Sequence, residues 1–310
     1  MKNLIFADAP HIHSGNSTQK IMLDVLLALL PATIAAVVLF GTKALVVVFA
    51  CVASCVASEF VFNAVLKQRQ TVSDLSAAVT GLLLALNLST NVSVYQCVVG
   101  SMFAIIVVKC LFGGLGKNFA NPAISGRVFM LLTFSAVAGG SNPVSADLVA
   151  SATPLEVLPQ GGELPSLMNM LLGIRGGAIG ETCIVALVLG YIYLVVRKDI
   201  KWYVPVSFIA TVFVLFFLAT FSFEYALYEI LAGGLFLGAI FMATDYVTTP
   251  ITNKGKVVFC ICAGVITFVI RHFCAYPEGV SFSILIMNIF VPYIERVCHK
   301  HPLGGVDNVK

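Results

Sequence analysis

Ten stretches of about 20 apolar residues, separated by brief polar punctuation, follow one another along this 310-residue chain: 21–41, 44–66, 74–89, 93–112, 121–138, 178–196, 203–220, 226–243, 257–273 and 280–297. The hydrocarbon core of a bilayer takes about 20 residues of helix, and backbone polar groups inside it must be satisfied within the segment. Such a chain reads as an all-α membrane protein with ten transmembrane helices. Only 11% of residues are charged, where soluble domains need about 25%, and the mean hydropathy is +0.99. A net charge of +3 offers nucleic acid no basic face, and the apolar content excludes disorder. Most of the nine cysteines sit inside apolar runs, where Cys packs as a small hydrophobe.

Basic residues orient the spans. With the N-terminus in the cytoplasm, 15 of the 18 Lys and Arg fall on the inner side, and only Lys43, Arg175 and Arg271 fall outside. Both termini are then cytoplasmic, and the first 18 residues are a polar lead-in without the pattern of a cleavable signal. The third and eighth runs, Gly81–Thr90 and Gly234–Thr244, are alike at an offset close to half the chain. Five spans are an odd number, so a repeat of five must invert, giving a five-plus-five inverted repeat. Three regions follow: a lead-in and first repeat over 1–138, an outer-face loop over 139–177, and a second repeat with a cytoplasmic tail over 178–310.

Asp24, Glu59, Asp74, Arg127, Glu181, Glu224, Glu229 and Asp245 lie within or at the edges of spans. Ionisable groups there are costly and by default functional. Asp24, Asp74 and Glu224 read as headgroup-level side chains. The segment Thr244-Asp-Tyr-Val-Thr-Thr-Pro250 differs, because it gathers Thr244, Asp245, Thr248 and Thr249 at a Pro-terminated helix end. Those oxygens suit a small cation or a helix cap. Gly113–Arg127 lacks the spacing of a phosphate loop, and Asn121-Pro122 within it is a good helix start.

Four segments carry a resemblance: Ala9–Thr18 followed by Ile21–Pro31, Asp74–Leu86, Gly116–Ala123 and Met242–Asp245. Together they resemble the D subunit of the Rnf ferredoxin:NAD oxidoreductase and its relative, the B subunit of the sodium-pumping NADH:quinone oxidoreductase. The resemblance implies a covalent FMN, its phosphate esterified to a Thr hydroxyl by a separate flavin transferase that reads Asp-x-x-Ser/Thr-Gly-Ala-Thr. Asp147, Ala152 and Thr153 stand at the matching positions, with Thr153 as acceptor and Ser151 as fallback; Ala150 and Ser151 depart from the usual residues. It further implies a non-covalent riboflavin, with Asn121, Thr244, Asp245, Thr248 and Thr249 as a possible flavin or ion path. The implied setting is a six-subunit complex of the bacterial inner membrane. There ferredoxin:NAD electron transfer drives sodium ions or protons outward, and this chain acts as an enzyme only within the complex. A stand-alone transporter or channel of the same fold is the alternative; it has no use for the Asp147–Thr153 motif.

Overall fold

In the computed structural model of the protein, which describes residues 17–134, 154–158, 164–274 and 279–298, the first helix, α1 (Thr18–Phe40), is small inside and bulky outside. Asp24, Ala28, Ala32 and Ala36 are buried, while Leu23, Leu27, Leu30, Ile34 and Val38 stand exposed, Val38 at 75%. Water disfavours such a stripe and hydrocarbon does not, whereas small residues let helix backbones approach. The chain is a multi-pass membrane protein.

Gly41, at φ +70°, turns α1 directly into α2 (Thr42–Val65). There follow α3 (Ser76–Leu86), α4 (Val94–Met102, running on as a π-helix over Phe103–Cys110), α5 (Pro122–Thr133), the short α6 (Leu167–Leu172) and α7 (Ile184–Arg197). Then come α8 (Tyr203–Thr220), α9 (Phe223–Leu231), α10 (Leu235–Leu237, continued as a π-helix over Gly238–Met242), α11 (Asn253–Phe273) and α12 (Val280–Val297). Every element among the described residues is helical. Five helices, α1, α2, α8, α11 and α12, are long and apolar enough to cross a membrane, and α9 with α10 pass the same test as one span bent by 64°. Helices α3, α4, α5 and α7 are apolar but shorter. The cysteines pack as the sequence implies: all nine are free, and Cys51, Cys55, Cys97, Cys110 and Cys260 are buried.

Among the described residues of the fifth run, α5 covers Pro122–Thr133 and ends at Phe134, and the sixth run begins as a loop. Tertiary hydrogen bonding explains that loop. The Ile179 N–H donates to the Leu88 carbonyl (2.9 Å) and the Gly180 N–H to Leu86 (2.7 Å), so this loop satisfies carbonyls that the C-terminus of α3 leaves open.

The eighth span is broken between α9 and α10, and the third is a short helix entered through a 3₁₀ turn. A 3₁₀ turn over Val72–Asp74 leads into α3 through Leu75 at φ +64°, and Gly233 at φ +67° lies between α9 and α10. A buried cation from the following span reaches each of these turns. Lys109 Nζ donates to Glu59 Oε1 (2.9 Å) and Ser76 Oγ (2.6 Å), and the Thr71 hydroxyl also donates to Glu59 Oε1 (2.7 Å). Arg271 donates to the carbonyls of Glu229 (2.6 Å) and Ala232 (3.3 Å) and to the Glu229 carboxylate (3.3 Å). Lys109, Arg127, Arg175 and Arg271, counted toward one side or the other in the sequence, are thus bundle residues, all with buried side chains. Their partners or packing recover the hydration they lose.

Candidate functional site

The first turn of α5 needs acceptors for its free N–H groups, and Asn121 supplies one: its Oδ1 accepts from Ala123 N (3.0 Å) and Ile124 N (3.4 Å), with Pro122 pre-set for the first helical position. The same cap leaves Asn121 Nδ2 free to donate to Asp245 Oδ2 at 3.4 Å, 124 residues away. Asp245 lies just past the π-helical end of α10. Its Oδ2 accepts from the Thr248 hydroxyl (2.9 Å) and its Oδ1 from Val247 N–H (3.3 Å), while the Thr249 hydroxyl donates to its carbonyl (2.5 Å). The Thr244 hydroxyl turns back to the Ile240 carbonyl. Asn288 on α12, its amide oriented to serve both neighbours, donates to Thr248 O (2.9 Å) and accepts from Asn121 N–H (3.1 Å).

Between α3, α5 and the end of α10 lies a cavity of about 70 Å³. Its polar wall includes Ser76, Thr80, Lys109, Asn118, Asn121, Thr244 and Asp245, and its apolar wall includes Val25, Leu83 and Phe241. The structure therefore brings together Asn121, Thr244 and Asp245 of the expected path. Thr248 and Thr249 are buried behind Asp245 and position it without facing the cavity.

Asp199, in the loop joining α7 to α8, also lines the cavity, and its Oδ2 is buried without a hydrogen-bond partner. Burial pushes its carboxyl above the ordinary range; the negative charge of Asp24 adds to this, and Arg197 and Lys20 oppose it. Tyr246, pushed up to about 12 mainly by burial, stays a neutral phenol and donates to the Asp199 carbonyl. Neither Asp199 nor Asn288 stands out in the sequence, the first sitting in a charged loop and the second in an apolar run. Lys109 did carry a signal, a lone ammonium in an apolar stretch. Asp24, expected at headgroup level, is instead buried, held by Arg197 (2.9 Å) and Tyr193 (2.9 Å). Asp74 caps α3, accepting the Ser76 N–H at 2.9 Å.

A second polar group lies further along the bundle. Arg127, buried in α5, donates to Asn87 Oδ1 (2.5 Å), and Asn87 donates in turn to Leu83 O (2.7 Å) and weakly to the Met242 sulfur (3.9 Å). Asp147, Ser151, Ala152 and Thr153 lie outside the described residues. A cavity of this size has room for a few waters or one partly hydrated cation.

The family model described as the NQR2, RnfD, RnfE family matches residues 5–304. The chain belongs to this family. Within the NQR2, RnfD, RnfE family it is 42% identical to the D subunit of the Na(+)-translocating ferredoxin:NAD(+) oxidoreductase complex of Acetobacterium woodii, over 99% of this chain and 97% of that protein. It is 38% identical to the D subunit of the proton-translocating ferredoxin:NAD(+) oxidoreductase complex of Clostridium ljungdahlii, over 95% of each chain. With the D subunit of the ion-translocating oxidoreductase complex of Stutzerimonas stutzeri it shares 35% identity over 93% of each.

Proposed function

We propose that this chain is the D-type membrane component of a complex that couples electron transfer between ferredoxin and NAD to the movement of sodium ions or protons across a bacterial inner membrane. The observation that carries this is likeness along the whole chain, in both directions, to subunits named for that activity. The chain contributes to the enzyme as part of the complex, alongside the other subunits of a six-part assembly.

We further read the fold as ten spans in a five-plus-five inverted repeat with both termini inside. In support, each half has one span entered or broken at a turn, and each turn receives a buried cation from the next span. Setting aside the four buried cations leaves 13 basic residues on the side assigned inner and Lys43 alone on the other, so the insertion bias is stronger than the raw count.

FMN, when bound, supplies one- and two-electron chemistry that no side chain here has. The proposal that Thr153 carries it, installed by a flavin transferase, rests on the Asp147–Ala152–Thr153 spacing. Riboflavin remains part of the reading, and the Asp245 cavity stands as a flavin or ion path. For the coupling ion, Asp245, fixed by Thr248 and Asn121, offers a carboxylate on a polar wall that also carries the Asp199 carboxylate, the Lys109 ammonium, hydroxyls and amides. The test is Thr153→Val, which keeps shape and removes the acceptor. The wild-type band should fluoresce under ultraviolet light in a denaturing gel and the variant band should be dark, with intact mass lower by one FMN phosphoester; an unchanged adduct not remapped to Ser151 defeats the assignment. An absence of ferredoxin-dependent NAD reduction in the purified wild-type complex defeats the wider reading.

A further inference from the structure

At the break between α9 and α10, one carboxylate oxygen has no partner. Glu181 is only 4% exposed; its Oε1 accepts the Ala178 N–H at 2.9 Å, and its Oε2 is buried without a donor. An unmet carboxylate oxygen in a dry interior is expensive, and it stops being unmet when it binds a proton or a cation. We propose that Glu181 is a second cation site, taking up and releasing a proton or a sodium ion through Oε2, at the opposite end of α10 from Asp245. This rests on the ion-translocating reading above.

The surroundings favour an occupant over a plain helix cap. A capping carboxylate accepts backbone N–H groups, and Oε2 accepts none even though it faces Gly234, where α10 begins. Two glycines lie against it: a Cβ at position 234 would lie 3.0 Å from Oε2, and one at 177 would lie 3.1 Å from Oε1, so neither position takes a side chain without shifting the carboxylate. The carboxylate is also held in place, because its loop is bonded to the end of α3 through Ile179 and Gly180, and Arg175 Nη2 donates to the Glu181 carbonyl at 2.9 Å.

Two guanidinium groups lie near this carboxylate, those of Arg175 and Arg127. Arg127 Nη1 lies 3.6 Å from the same Cβ position at 234, and it donates to Asn87, which reaches Met242 three residues before Asp245. A guanidinium this near weakens cation binding, as a site that must also release its ion requires. No bond to carbon changes: in the proton case an O–H forms and breaks with water as donor and acceptor, and in the sodium case an ion exchanges water for carboxylate.

The assembled complex, reconstituted in sealed vesicles and driven by reduced ferredoxin and NAD, tests this with radioactive sodium and a pH-sensitive dye as probes. In Glu181→Gln, ions moved per NAD reduced should fall about tenfold, while covalent FMN and electron transfer with an ionophore present stay within about twofold of wild type; Glu181→Asp should recover part of the loss. Loss of sodium uptake identifies sodium as the ion, and loss of proton movement in sodium-free buffer identifies the proton. A wild-type ion-to-electron ratio in Glu181→Gln overturns the proposal. If that variant does not assemble, Gly234→Ala decides: a shift of about tenfold in the sodium or proton concentration for half-maximal transport supports the site, and a wild-type value overturns it. A wild-type complex that moves no ions removes the underlying reading instead, which is a distinguishable failure.

Discussion

Asp245 combines two tasks that a sequence cannot separate. Its Thr248 and Val247 bonds are those of a local cap, while Asn121 and the cavity wall tie it to a distant span. The Thr-Asp-Tyr-Val-Thr-Thr pattern made the cap legible, and Asn121-Pro122 made its partner's helix start legible; their meeting across 124 residues was visible only in the folded chain. The charge on Asp245 discriminates between the tasks. Asp245→Asn keeps size and removes the charge, so ion transport by the assembled complex should fall about tenfold, or its sodium dependence shift, with covalent FMN retained; transport at the wild-type level leaves only the cap. Asp199 makes a different prediction, concerning pH. Its folded-state pKa is raised above the ordinary 3.8, so between that value and the raised one the folded chain binds more protons than the unfolded chain. Stability should therefore decline as pH rises through that window. Thermal midpoints of the detergent-purified protein across acidic pH should show this decline, and Asp199→Asn should flatten it.

Elements were legible where apolar runs were long. Helices α1, α2, α8, α11 and α12 match their runs closely because each is a single continuous span with its hydrogen bonds internal. Helix α7 falls short of its run, and the reason is tertiary: the loop before it bonds to the end of α3. Likewise the Lys109–Glu59 pair joins residues 50 apart, which no local pattern reveals. Contacts between helices rest on glycines at two crossings. A Cβ at Gly81 would come within 2.7 Å of Val52 Cα on α2, and one at Gly190 would overlap the Ala28 carbonyl on α1. Neither obstacle is a movable side chain. Gly190→Ala should force α1 and α7 apart and destabilise the protein by about 1–3 kcal/mol, and Gly81→Ala should act similarly on α2 and α3. Both should appear as lower thermal midpoints, with Ala→Gly at an exposed helix position as a control for glycine's own backbone effect.

At the scale of the whole molecule, the proposed orientation rests on the basic residues that remain outside the bundle. The segment before α7 should then face outward. Met168 is 64% exposed on α6, so a cysteine there, in a cysteine-depleted background, should react with an impermeant maleimide in intact cells; labelling only after lysis reverses the topology and removes the outer-face flavin with it. The glycine crossings also bear on what kind of machine the chain is. Helices that meet through bare backbone cannot slide or tilt without opening gaps that neither lipid nor side chains fill. A carrier that alternates its access by rocking must part such contacts in every cycle. A chain whose task is to hold a redox group benefits from the opposite property, since the separation between successive electron carriers stays constant while ions come and go beside them.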